Sequence, residues 1–310
     1  MKLIGIEIGG TKLQLVVGNP SGEILTRRRF EVNREAGGAG IRSQIASALP
    51  TLLADHDPAA VGVGFGGPVD WRSGRIACSH QIEGWSDFPL GPWLHEATGL
   101  PVSVDNDANV AALGEARHGA GVGANPVFYI TMGSGSGGGL VVDGRLYHGA
   151  TPGEAEIGHV LLDRQGTPFE QRCSGWAVDR RLRAAALEHP DSVLAGALPS
   201  SLGGEARHLP FALASGCQVA ARLLVEVADD IAFGLSHVVH LFHPGRVILG
   251  GGLSLVGEPL RAAVAAALPG YVMKTFQPGP QVVLSRCGED AVPVGALALA
   301  AMKAEPVPLA

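Results

Sequence analysis

Several groups of residues in this sequence have the types and spacing to do chemistry. The run Asp105-Asn106-Asp107 sets two carboxylates around an amide, between an apolar run and a helical pattern. A carboxylate so placed is able to take a proton from a substrate hydroxyl while the amide holds a neighbouring one. Asp and Asn are also common helix N-caps, and capping is the plain reading for at least one of them. The end of a strand in an α/β fold is where ligands bind, which favours the functional reading. The run Gly153-Glu154-Ala155-Glu156-Ile157-Gly158-His159 brings two carboxylates and an imidazole together. A sugar needs such groups, because its hydroxyls both donate and accept. A lone His is more often a structural residue or a metal ligand. Cys173 is the one cysteine nearby, so a three-Cys-plus-His zinc site cannot be built locally.

Two glycine-rich turns share one design. Gly9-Gly10-Thr11-Lys12 separates the apolar runs LIGIEI and LQLVVG, and Gly133-Ser134-Gly135-Ser136-Gly137-Gly138 separates VFYITM from GLVV. A glycine turn between β-branched apolar runs is a hairpin signal. Glycine also lets backbone N–H groups approach an anion closely. Alone, the first is an ordinary hairpin turn and the second a flexible loop; the repetition favours two grips on one polyphosphate. Lys12 would meet phosphate or solvent. Glu7, beside the first turn, would hold Mg²⁺ through water or serve as an ordinary strand carboxylate with a basic neighbour.

The elements that must position these groups follow from apolar periodicity. A three-run hairpin over 3–32 precedes a helix over 40–54 and a buried strand over 60–65, with a loop-rich passage over 70–91. A short helix over 92–98, a strand over 101–104 and a helix over 108–118 lead to a glycine-rich joint at 119–125. The second hairpin starts at Val127. Helices are expected over 174–187 and 211–241, the latter interrupted near Gly234, with a weakly patterned polar insertion at 192–210. A strand at 246–249, a helix at 256–268, a strand at 282–285 and a helix at 292–302 complete the chain. The mixture predicts an α/β class with mixed sheets rather than a simple βαβ repeat. Expected domains are 1–118 plus 291–303, and 119–290.

Composition removes other classes. The 310 residues are 46% hydrophobic and 17% charged, with a net charge of -6. That balance lacks the basic face of a general nucleic-acid binder. No apolar run is long enough to span a bilayer, the N-terminus has no signal-peptide layout, and Cys78, Cys173, Cys217 and Cys287 are scattered. Reduced cysteines in a cytoplasmic protein are the expectation.

Taken in order, these segments resemble the ROK family of sugar kinases and sugar-responsive repressors. The resemblance covers nearly the whole chain. It rests on residues 8–12, on 62–70 (GVGFGGPVD), on 105–115 (DNDANVAALGE), on 131–144, on 156–159, on 166–175 (GTPFEQRCSG) and on 247–252 (VILGGG). It implies the actin-like ATPase fold, two ribonuclease-H-like α/β domains around a cleft, with the C-terminal helix returning to the N-terminal domain. It implies ATP and Mg²⁺ as cofactors, and Asp107 as catalytic base. Gly66, Gly67, Asn106, Glu156, His159 and Glu170 would contact the sugar together with Asp107. Gly9, Gly10, Thr11, Lys12, Gly133, Ser134 and Gly135 would contact the phosphates, with Gly251 and Gly252 on the nucleotide side. Family members are often dimers or tetramers.

The chain also departs from the family pattern. Glu7 stands where the family has Asp, which bears on its water-mediated Mg²⁺ role. The family's zinc cysteines are absent, as residues 163–169 supply none, so no structural zinc is expected and packing must hold that loop. Gly66 replaces proline, Gln81 asparagine, and Ala155 a glycine. The resulting expectation is ATP-dependent phosphorylation of a hexose or N-acylated amino-hexose, glucokinase-like, with closure about the 119–125 joint excluding water. The alternatives are a sugar-sensing regulator and a sugar-binding protein without catalysis. The first would need a helix-turn-helix segment ahead of a hairpin that already starts at residue 3. Retention of Asp107, Glu156 and His159 speaks against the second. No nucleic-acid or membrane partner is expected.

Overall fold

The computed structural model describes residues 1–79, 81–150 and 155–304. Its strands and helices run β1 (Leu3–Ile8), β2 (Lys12–Gly18), β3 (Ile24–Glu31), α1 (Gly37–His56), β4 (Val61–Phe65), β5 (Val69–Asp70), β6 (Arg75–Ile76), α2 (Leu90–Thr98), β7 (Val102–Asn106) and α3 (Asp107–His118). Then follow β8 (Val127–Met132), β9 (Ser136–Val142), β10 (Arg145–Leu146), α4 (Phe169–Cys173), α5 (Gly175–Glu188), α6 (Val193–Ala197), α7 (Leu209–Ala214) and α8 (Gln218–Phe242). The chain ends with β11 (Arg246–Gly250), α9 (Glu258–Ala267), β12 (Gln281–Leu284) and α10 (Ala291–Ala304). Two compact units emerge. The first takes Met1–Gly123, Gly139–Glu154 and Glu289–Ala310; the second takes Ala124–Gly138 and Ala155–Gly288. A single break near 119–125 does not describe this division, because the segment from Gly139 groups with the first unit.

The first sheet has the order β3-β2-β1-β4-β7. Its three-strand meander is antiparallel, and β1, β4 and β7 run parallel. The central strands are apolar almost throughout because both faces are covered. Ile4, Ile6, Ile8, Val61, Val63 and Phe65 join a core with Ile41, Ile45, Leu49 and Leu52 of α1 and Leu90 and Leu94 of α2. Strand alternation turns Leu3 and Val16 to the opposite face, where Leu297, Ala300 and Ala301 of α10 meet them. A Cβ at Gly295 would lie 1.7 Å from the Val110 carbonyl oxygen, so the α3 and α10 backbones touch where only glycine fits.

The second sheet repeats the same order as β10-β9-β8-β11-β12. Within it β8, β11 and β12 are parallel, and β9 and β10 antiparallel. Of the six-residue glycine-rich run, 133–135 alone form the turn; Ser136, Gly137 and Gly138 already belong to β9. The helical region expected over 211–241 is interrupted before Gln218, not at Gly234, which lies inside an unbroken α8. Glycine is present there because the buried Phe169 ring lies against it: a Cβ would meet that ring at 2.4 Å. The polar insertion at 192–210 contains α6, a short 3₁₀ turn at Glu205–His208 and the start of α7. The passage expected as loop from 70 opens with the small β5–β6 pair, which begins at Val69. Among the described residues no helix is long and apolar enough to cross a membrane.

Candidate active site

In the first unit, strand register assembles the expected residues. Ile8 pairs with Phe65, and Phe65 with Asn106, so three parallel strands end level. The residues that follow them are Gly9, Gly66 and Asp107. A Cβ at Gly66 would lie 3.4 Å from Asp107 Oδ2 and 3.6 Å from the Gly9 Cα. Residues from three distant segments therefore meet at the carboxyl end of one sheet, the usual ligand side of such a sheet. Gly66 N–H donates to the Ile8 carbonyl at 2.8 Å, and Asn106 Nδ2 donates to the Gly67 carbonyl at 3.1 Å. Asn106 caps α3, its Oδ1 accepting from the Ala108 and Asn109 amides at 2.9 and 3.4 Å. Capping falls to Asn106, which starts the helix, and Asp107 occupies its first turn, where negative charge is favoured.

The first glycine turn closes tightly, with Gly9 N–H donating to the Lys12 carbonyl at 2.9 Å. Gln81 covers Gly10, and Thr11 is exposed. Lys12 reaches back along its strand, its Nζ 3.3 Å from Glu7 Oε1. Gln14, opposite Glu7 in the hairpin register, donates to Glu7 Oε2 and accepts from Arg27 and Arg29 at 3.4 Å each. Burial pushes the Glu7 carboxyl above its ordinary range, and Lys12 and Gln14 oppose that push. Each carboxylate oxygen keeps one acceptor position after these bonds. The set fits a cation held through water and phosphate oxygens rather than in an all-protein cage. Among the described residues no group of three or more His, Cys, Asp or Glu is arranged to hold a metal.

In the second unit the turn at 133–135 closes through Gly133 N–H to the Gly135 carbonyl at 2.9 Å. β11 lies beside β8, Gly250 paired with Thr131, and brings Gly251 against Met132. Gly251 has φ +75, and a Cβ there would fall 2.5 Å from Met132 N. The start of α5 abuts the same turn, Trp176 N–H reaching the Gly133 carbonyl at 3.3 Å. Glycine backbone and a helix start therefore surround Gly133, Ser134, Gly135 and Gly251, while Gly252 faces open space. Glu170 faces this turn too, its Oε2 accepting the Ser136 amide at 3.4 Å.

Glu156 and His159 flank one 3₁₀ turn, His159 N–H donating to the Glu156 carbonyl at 3.0 Å. Residues three apart in such a turn project to one side, and both are exposed. Gly153 and Glu154 lie outside the described residues. Ala155, just before, has φ +54, the left-handed conformation that suits glycine. The loop down to Glu170 is held by a Leu161–Pro168 bridge, by Phe169 N–H to the Val160 carbonyl at 2.8 Å, and by the buried Phe169 ring. Arg172 anchors α4 to α8 through Asp230 at 2.9 Å.

Sequence reasoning missed two partners of these residues. Gln14 was legible in principle: once Ile8 faces Leu13 across the turn, Glu7 must face Gln14. His148 was not, since its contact with Asp105 joins residues 43 positions apart.

The ROK family profile matches residues 3–303. A glucokinase of Halalkalibacterium halodurans is 31% identical over 94% of this chain and 92% of its own length. A ROK family glucokinase of Streptomyces griseus, solved with glucose and AMPPNP, superposes with a TM-score of 0.81 at 34% identity, covering 97% of this chain and 100% of its own. A ROK hexokinase of Thermus thermophilus gives a TM-score of 0.78 at 31% identity over 97% and 98%. The twice-repeated strand order is that of the actin-like ATPase fold, as the resemblance implies. Matched over residues 3–303 by the family profile and over 97% of its length by a solved ROK glucokinase, the chain belongs to the ROK family.

Proposed function

We propose that this protein is an ATP-dependent hexose kinase whose catalytic base is Asp107. The observation that carries the reading is the level ending of β1, β4 and β7, which sets Asp107 beside Gly66 and Gly9. Asp107 would accept the proton of the attacking sugar hydroxyl, while Asn106, Gly67, Glu156, His159 and Glu170 hold and orient the other hydroxyls. The turns at Gly9–Lys12 and Gly133–Gly135, with Gly251 and Gly252, would bind the nucleotide phosphates through backbone N–H groups. Phosphoryl transfer has a loose, anionic transition state, so catalysis comes chiefly from positioning and from stabilising charge. Mg²⁺, bound with the nucleotide and held by Glu7 through water, would supply neutralising charge to the phosphate oxygens. The names of the relatives favour glucose as acceptor.

The test is ADP release measured with ATP against glucose, mannose, fructose, N-acetylglucosamine and N-acetylmannosamine. Turnover with at least one, glucose foremost, is expected. Release with none, from folded protein that still binds a sugar, would replace the kinase with a non-catalytic sugar binder.

A further inference from the structure

Asp105 is buried and charged, yet the proposed chemistry gives it no task. Its Oδ1 accepts the Asn106 amide at 2.8 Å and Asn109 Nδ2 at 2.9 Å. Its Oδ2 lies 2.7 Å from His148 Nε2. A carboxylate only accepts, so the shared proton sits on Nε2. The imidazole is fixed in turn by stacking on Trp71, with ring centroids 4.2 Å apart and planes 17° apart. All five residues lie in the first unit. His148 sits two residues beyond β10, whose pairing with β9 fixes the start of the segment that carries it.

The arrangement forms a chain of contacts that ends at the proposed base. Trp71 holds His148, His148 holds Asp105 Oδ2, and Asp105 Oδ1 then grips both the Asn106 amide and the Asn109 side chain. Those last two bonds lock the junction where β7 becomes α3, and Asp107 is the first residue past it. We infer that His148 is a positioning residue, which through Asp105 holds Asn106 and Asp107 in catalytic register. Without its donor, Asp105 Oδ2 would be a buried carboxylate oxygen short of a partner. The carboxylate would rotate to seek another, loosening its hold on Asn106 and Asn109. Small displacements of a catalytic group are expensive in rate. The inference rests on the assignment of Asp107 as base.

The test compares His148→Ala, His148→Gln, Asp107→Asn and the double variant His148→Ala/Asp107→Asn by steady-state kinetics with the best sugar and ATP. Gln is chosen because its Nε2–H₂ is able to donate where the imidazole did. Expected are a fall in kcat of about tenfold for His148→Ala, recovery to within about threefold of wild type for His148→Gln, and no further loss from His148→Ala on the Asp107→Asn background. If His148→Ala folds too poorly to assay, the inference is judged on His148→Leu, which fills the site without donating and should show the same loss. Wild-type kcat in His148→Ala or His148→Leu overturns it. An equal loss on the Asp107→Asn background also overturns it, since that marks a merely structural role. Near-normal turnover of Asp107→Asn by itself instead removes the base assignment, and with it the object His148 was inferred to position.

Discussion

The two sheets share one strand order but differ in what stands behind their glycine turns. Behind the first turn lies a part-buried polar network: Glu7, Lys12 and Gln14, extended by Arg27 and Arg29. Behind the second lie backbone and a helix start, with Gly251 against Met132 and α5 against Gly133. Thr131 of β8 occupies the place that Glu7 holds in β1, each being next to last in its strand. The repeated topology thus supplies two similar turns, and local side chains set a charged Glu7–Lys12 pair with Gln14 behind one, and glycine backbone faced by the Glu170 carboxylate around the other. The acidic residue proposed for the chemistry belongs to the first unit, and the glycine cradle proposed for nucleotide to the second.

The strongest challenge to that contrast is Asp107→Asn. It should lower kcat at least about 10²-fold, because general base catalysis contributes on that scale, while sugar affinity measured by calorimetry stays close to wild type. Retained turnover would dissolve the chemical distinction between the units. Next is Gly251→Ala, which places a Cβ at a positive φ and within 2.5 Å of Met132 N. It should cost about 1–3 kcal/mol in stability by denaturant titration and raise the KM for ATP more than that for sugar. An unchanged KM for ATP would take Gly251 out of the nucleotide cradle.

Two smaller effects sharpen the comparison. Ala155→Gly relieves a left-handed φ of +54 ahead of Glu156 and should stabilise by about 0.5–1 kcal/mol, read as a higher Tm. A lower Tm would show the Ala155 methyl to be worth more than its backbone strain. For Glu7 the sign follows from its raised carboxyl. The folded state holds that proton more tightly than the unfolded one, so the group's favourable contribution is complete below the ordinary carboxylate range. It is lost as pH rises through the raised value. Glu7→Gln should therefore gain stability relative to wild type as pH increases from 4 towards neutrality. A difference in Tm that stays flat or runs the other way would show that Lys12 and Gln14 outweigh burial.

Much of this was legible because it is local. The twin hairpins announce themselves by apolar runs and glycine turns, and Asn106-Asp107 by the chemistry of a helix start. Glycine was the ambiguous signal. Gly234 reads as a helix break and proves to be a contact for Phe169; Gly138 reads as turn and proves to be strand. A missing side chain marks a close approach without saying to what. Ala155 shows the converse, a residue whose type gives no hint of its left-handed backbone. The Asp105–His148 contact left no sequence trace, because no periodicity links residues so far apart.

By itself the sequence determined most of the main strands and helices, where the two glycine turns begin and which carboxylates sit at strand ends, since capping, turn chemistry and apolar spacing act over a few neighbouring residues. Only tertiary structure decided that Ile8, Phe65 and Asn106 end level, that Lys12 turns to Glu7, and that His148 reaches Asp105. Those outcomes depend on strand register and on the burial of charge, which are settled when distant segments compete for the same space and the same partners.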